Sequence, residues 1–230
     1  MKKLVIINAG LSDPSTTLTV ARQVADDTVR RMNASGEGGD VEDLVIETVN
    51  LRGLASDLAT FMTTFMPTAA LEEARATVME ADALITATPV FQGSYSGLFK
   101  MFFDTLDMHA LDGTPVTMVA TAGTVRHSMV LDYAVRPLLS FLHAVVLPTG
   151  VFAATEEFGA ESALQTRVGR AAGELAGQLT VSDGAGRAHA EDAPAAPDTA
   201  SGTTSGRAGN DDFRVPDGGF ASLLAGHTGS

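Results

Sequence analysis

Three loops carry the residues whose types and spacing could do chemistry. The first is "NAGLSDPSTTLTVAR", residues 8 to 22, where Ser12, Ser15, Thr16 and Thr17 cluster at the start of a helical pattern. Free backbone N–H groups at a helix start, and the helix dipole, favour an anion there, and hydroxyls add donors. Ser and Thr are also the standard helix N-caps, but one cap accounts for one residue and not for four. The second is "TPVFQGSYSG", residues 88 to 97. Pro89, Val90 and Phe91 offer apolar surface. Gln92, Gly93 and Ser94 offer amide and hydroxyl groups, and the glycine permits close backbone approach. That combination suits a flat heterocycle with polar edges. The third is "TAGTVRH", residues 121 to 127, where Thr121, Gly123 and Thr124 can reach the other side of the same ligand and Arg126 and His127 add polarity.

Competing chemistries fail on their residues. No Gly-rich loop ends in Gly-Lys-Ser/Thr, and no G-x-G-x-x-G follows the first strand. A receiver-type phospho-acceptor wants acidic residues at the strand ends, which here are Asn8 and Thr88. "GSYSG" at 93 to 97 resembles the serine-nucleophile elbow, but its centre is Tyr95. The chain has no cysteine, which excludes disulfides, thiolate catalysis and cysteine-held metal centres. His109 and His143 read as structural, and no spacing of His, Asp and Glu suggests a metal site. The formal charge of −13 repels nucleic acid.

These loops need a frame. Five short apolar runs read as buried parallel strands: Leu4 to Asn8, Leu44 to Val49, Ala83 to Thr88, Val116 to Thr121 and Val145 to Phe152. Apolar stripes at helical spacing alternate with them: Leu18, Ala21, Ala25, Val29 and Met32; Leu71, Ala74, Val78 and Ala81; Leu98, Phe102, Phe103 and Leu106, in a helix expected to start at Tyr95; Leu131, Ala134, Val135, Leu138 and Leu142; and Leu164, Val168, Ala172, Leu175 and Leu179. Alternation of this kind means a parallel sheet with helices on both faces, an α/β three-layer sandwich with the flavodoxin-like order 2-1-3-4-5. In that order ligands bind beyond the carboxyl ends of the strands at the switch point between strands one and three, where the three loops converge.

Residues 1 to 180 form the predicted domain. Residues 181 to 212, rich in Gly, Ala, Ser, Thr, Pro and acidic residues, read as a disordered linker. Residues 213 to 230 form a tail with a small apolar docking segment around Phe213, Phe220 and Leu223. "ASGEGGD", residues 34 to 40, reads as a flexible connection. No apolar run approaches the ~20 residues of a membrane helix, and the N-terminal apolar run lacks a cleavage site, so the chain reads as cytoplasmic.

The same stretches carry a resemblance. "TPVFQGSYSGLFKMFFDTLD" resembles the Thr-Pro-(aromatic)-x-Gly-Ser-Tyr-x-Gly-x-x-Lys segment of NADPH-dependent FMN reductases. "GLSDPSTT" looks like that family's phosphate loop. "TAGTVRHSMVLDYAVRPLLSFLHAVVLPTGVFA" is similar to the fourth-strand region of its actinobacterial-type branch. The resemblance implies FMN binding, hydride transfer from NADPH or NADH, and a homodimer or dimer of dimers. A flavin-dependent monooxygenase is the implied partner for reduced flavin. Alternatives are an FMN-bound quinone, azo or chromate reductase, or a flavodoxin-like electron carrier. Carried over by position, Ser12, Ser15, Thr16 and Thr17 would hold the phosphate. Pro89 to Ser94 would border the isoalloxazine, and Thr121, Ala122, Gly123 and Thr124 would approach its pyrimidine side. Arg126 would contact a nicotinamide-nucleotide phosphate. No classical catalytic residue and no metal ligand is implied. Many relatives carry an arginine in or just after the phosphate loop, whereas Leu18 follows Thr17 here. That departure implies weaker flavin affinity and suits a flavin exchanged as substrate.

Overall fold

A computed structural model of the chain describes residues 1–35, 44–158 and 163–181. Most of the connection at 34–40, the linker and the tail segment lie outside the described residues. No helix among those described is long and apolar enough to cross a membrane.

The sheet is built from β1 (Lys2–Asn8), β2 (Leu44–Asn50), β3 (Ala83–Phe91), β4 (Ser94–Tyr95), β5 (Pro115–Ala122), β6 (Val145–Val146) and β7 (Val151–Ala154). The main path runs β2-β1-β3-β5-β6, with β7 further along β5 and β4 turning back on β3. All pairings on that path are parallel. This is the flavodoxin-like order expected from the sequence.

Side chains alternate across a strand, so each apolar run feeds two cores. Leu4, Ile6, Ile85 and Val119 face α1 (Thr16–Ser35) and α6 (Ala163–Val181). Val5, Ile7, Leu84 and Met118 face the other layer. That layer holds α2 (Ala55–Thr64), α3 (Ala69–Met79), α4 (Gly97–Phe103) and α5 (Arg136–Phe141). Burial on both faces explains why the strands read as continuous apolar runs. Leu164, Val168, Ala172, Leu175 and Leu179 are all buried, as the α6 stripe required. In α1, Thr28 is fully buried and Val29 only half-buried, a small rotation from the expected stripe.

Four expectations need correction. The fifth strand, predicted as one run over 145–152, is two. Val145 and Val146 pair with Pro115 and Val116, and Val151 resumes opposite Val119. Pro148 has no N–H to give the ladder, so the chain bulges there. Thr149 is held in the bulge by Glu174, which accepts from its amide at 2.9 Å and its hydroxyl at 2.5 Å. The helix expected from Tyr95 starts at Gly97, because Ser96 caps it by accepting from Phe99 N at 3.3 Å and Tyr95 belongs to β4. The stripe from Leu131 to Leu142 is a π turn over Leu131–Val135 before α5, which has Pro137 in its first turn. Finally α2, with Leu58 buried, was not anticipated.

Candidate functional site

The first loop is shaped by Asn8 at the end of β1. Its Nδ2 donates to Asn50 Oδ1 at 2.9 Å and its Oδ1 accepts from Gly10 N at 3.0 Å, which turns the chain away from the sheet. A Cβ on Gly10 would lie 2.1 Å from Ser15 Oγ, so a side chain here would displace the Ser15 hydroxyl from its cap. Ser15 caps α1, its Oγ accepting from Leu18 N at 3.1 Å and its carbonyl from Thr19 N at 3.0 Å. The amides of Thr16 and Thr17 then belong to the helix start and have no acceptor within the helix. Ser12 and Thr16 are exposed, whereas Thr17 is buried and its hydroxyl lies 2.7 Å from that of Thr121.

The second loop is a β-hairpin. Val90 pairs with Tyr95 and Phe91 with Ser94, so Gln92 and Gly93 alone make the turn. Both have positive φ, 50° and 76°, as the right-handed strand twist demands of a two-residue hairpin loop. Thr88 Oγ1 accepts from Ser96 N at 3.0 Å and donates to Pro89 O at 2.9 Å, tying the hairpin base to the start of α4. Pro89 and Val90 are half-buried and Phe91 is 47% exposed.

The third loop leaves β5 at Ala122. Thr124 caps the short turn Val125–His127, accepting from Arg126 N at 3.5 Å. A fourth segment joins it. Thr155 Oγ1 donates to Ala122 O at 3.3 Å. Glu157 accepts from Ala154 N at 3.0 Å and from Arg167 at 2.6 Å, and Arg167 also donates to Phe152 O at 2.9 Å. Burial pushes the Glu157 carboxyl up, but the Ala154 amide and the Arg167 guanidinium outweigh it and hold the group below its ordinary range.

These segments enclose a cleft of about 330 Å³ at the carboxyl ends of β1, β3 and β5. Ser12, Thr16 and Thr17 line one side, Pro89, Val90 and Phe91 another, and Thr121, Ala122 and Gly123 the third. Nine of the residues singled out from the sequence thus meet in one place. Leu11, Thr155 and Phe158 complete the lining and were not foreseen. Leu11 and Phe158 are part-exposed apolar side chains at the rim. A neighbouring cleft of about 370 Å³ shares Ser12 and contains Ser15, Asp13 and Arg52. Gln92, Gly93, Ser94, Thr124 and Arg126 line neither cleft, the first three at the hairpin tip and the last two beyond Gly123.

Among the described residues no charged side chain lines the 330 Å³ cleft. Its described lining offers hydroxyls, helix-start amides and apolar walls, and no basic or acidic side chain to activate a hydroxyl. Such a site suits a planar ligand with an anionic arm that brings its own reactivity.

Comparison with known proteins agrees with that chemistry. Residues 2–159 match the sequence profile of a family described as NADPH-dependent FMN reductase. An FMN reductase (NADPH) of Pseudomonas aeruginosa is 36% identical over 156 residues, 68% of this chain and 78% of that one. The NADH-dependent FMN reductase SfnE of Pseudomonas putida is 35% identical over 173 residues, 74% of this chain and 88% of that one. An oxidoreductase of Corynebacterium diphtheriae, solved by X-ray crystallography, is 49% identical with a TM-score of 0.73. That match covers 79% of this chain and 98% of the other.

Proposed function

The chain belongs to the NADPH-dependent FMN reductase family, and from that premise we propose that it transfers hydride from a reduced nicotinamide nucleotide to FMN. The observation that carries this reading is the uncharged, apolar-walled cleft where the loops after β1, β3 and β5 meet beside the start of α1.

The residues fit FMN by the chemistry of their donors. Amides of Thr16 and Thr17 with hydroxyls of Ser12, Ser15 and Thr16 would hold the phosphate. Arg52 lines the cleft on the far side of Ser12 and supplies the cation that the loop itself lacks. Pro89, Val90 and Phe91 would support the flat ring system, with Gln92, Gly93 and Ser94 at its border. Backbone groups of Ala122 and Gly123, with Thr121 and Thr124, would face its polar edge, where N–H donors stabilise negative charge that develops on reduction. Bound FMN supplies the hydride-accepting chemistry. The chain's own work is to bind, orient and keep one face open, and no proton-transferring side chain is required. Arg126, exposed beyond Gly123, is assigned to a phosphate of NADPH or NADH.

The exposed apolar rim favours a flavin that is exchanged, with reduced FMN passed to a flavin-dependent monooxygenase. SfnE and the other reductases above are this chain's relatives, which supports that partner class. Exposed Met129, Tyr133 and Phe141 support self-association as a homodimer, and a cytoplasmic setting suits the use of reduced nicotinamide. Titration of the purified chain with FMN, followed by flavin fluorescence, tests the binding half of the proposal. Saturable quenching by one FMN per chain is expected; no change in flavin fluorescence would remove it.

A further inference from the structure

The end of the sheet remote from the cleft holds a second constellation. His109 and Asp112 lie in the turn that leads into β5, and His143 lies two residues past α5 and before β6. His109 Nδ1 lies 3.1 and 3.2 Å from the two Asp112 carboxylate oxygens. His143 Nδ1 lies 3.1 Å from Asp112 Oδ1. The rings meet edge to face with centroids 4.6 Å apart. One donor atom from each residue falls within 4.8 Å of the others. All three side chains are about half-exposed. The sequence separated His143 from the other two, so no local spacing announced the group.

We propose that His109, Asp112 and His143 form a binding site for a divalent transition metal, with Zn²⁺ as the reference ion. Tetrahedral ligation at 2.0–2.1 Å sets donor atoms about 3.3 Å apart, close to the His–Asp separations found. Two imidazoles and one carboxylate select zinc, cobalt or nickel over magnesium and calcium, which prefer oxygen alone. The remaining positions face solvent and take water.

The backbone fixes the position of His143. His143 has φ of 61°, in the left-handed region just past the end of α5. Glycine or asparagine most often fills such a position, and histidine is also enriched there, at a modest conformational cost. The cost is sustained by fixed neighbours: Gly113 N donates to His143 O at 3.2 Å, His143 N to Ser140 O at 3.1 Å and Val145 N to Thr114 O at 2.9 Å. The result aims an imidazole at Asp112 across two chain segments. A metal held there would clip the start of β5 to the end of α5, about 23 Å along β5 from the flavin cleft, so this site does not depend on the functional reading above.

The test uses the full chain without a histidine tag, freed of metal by chelation, and titrated with Zn²⁺ by calorimetry and thermal unfolding. One equivalent of Zn²⁺ is expected to bind, and to raise Tm by at least about 5 °C at a hundredfold excess over Kd. His109→Ala, Asp112→Asn and His143→Asn are each expected to weaken Zn²⁺ binding at least tenfold and to abolish the Zn²⁺-dependent rise in Tm. Asparagine keeps the left-handed backbone at position 143 accessible, so that variant still folds. His127→Ala, altered on the other end of the sheet, is expected to bind as the parent does. Absence of stoichiometric Zn²⁺ binding by the parent, or binding that survives in His143→Asn, would overturn the proposal and leave a metal-free hydrogen-bonded triad.

Discussion

The hydroxyls of Thr17 and Thr121 lie 2.7 Å apart, buried, and join the first turn of α1 to the end of β5. In such a pair one hydroxyl donates to the other, which leaves one proton free to serve a ligand in the cleft that both residues line. Replacing one threonine with isosteric valine leaves a buried hydroxyl alone. Thr17→Val and Thr121→Val should each cost about 1–3 kcal/mol in urea unfolding. The double variant should cost clearly less than the sum of the two. Strict additivity would show that the pair is not an energetic unit.

Arg52→Ala separates phosphate from ring. Arg52 lines the cleft beside Ser15, and a charge-assisted bond to phosphate is worth about 1.5–3 kcal/mol. FMN affinity should fall about tenfold or more. Riboflavin, which lacks the phosphate, should bind the variant as it binds the parent. Equal losses for both ligands would contradict this role.

Phe91→Ala addresses the ring. The side chain is 47% exposed at the hairpin tip, so its loss should change stability by no more than about 0.5 kcal/mol. Stacking of a planar base on an aromatic is worth about 1–3 kcal/mol, so Kd for FMN and for riboflavin should both rise about tenfold. A large fall in Tm with unchanged flavin affinity would reassign Phe91 to packing.

Glu157 links acid stability to the cleft rim. Its carboxyl is held below the ordinary range in the folded chain by Ala154 N and Arg167, against the effect of burial. A depressed folded value means the stabilisation is complete above the unfolded value, about 4.3. It is lost as pH falls through the folded value. Thermal unfolding from neutral to acid pH should therefore show the parent converging on Glu157→Gln as the carboxylate protonates. At neutral pH the variant should be less stable, and it should bind FMN more weakly because Thr155 and Phe158 flank the same turn. A constant gap in Tm across the whole acid range would contradict the linkage.

Much of this frame was legible because buried parallel strands leave continuous apolar runs, as at Leu4 to Asn8 and Ala83 to Thr88. The loops after β1, β3 and β5 could be found because hydroxyl, glycine and aromatic residues concentrate where a sheet of this order binds ligands. Other features were hidden for physical reasons. Val145 to Phe152 reads as one strand until Pro148 is asked for an N–H it lacks. Gln92–Gly93 is a hairpin turn only when both residues take positive φ, and glutamine gives little hint of that. Thr155 and Phe158 reach the cleft through β7 and a turn held by Arg167 from α6, a tertiary route with no local pattern. Leu54, Leu58 and Phe61 did carry helical spacing for α2, so that omission had a signal available.

The central claim is hydride transfer from reduced nicotinamide to FMN, and steady-state oxidation of NADPH and of NADH by the purified chain, with FMN titrated from zero, tests it most directly. The account predicts oxidation that saturates with added FMN and greatly exceeds the background of free flavin with nicotinamide. Oxidation no faster than that background, at any FMN concentration and with either nucleotide, would contradict it.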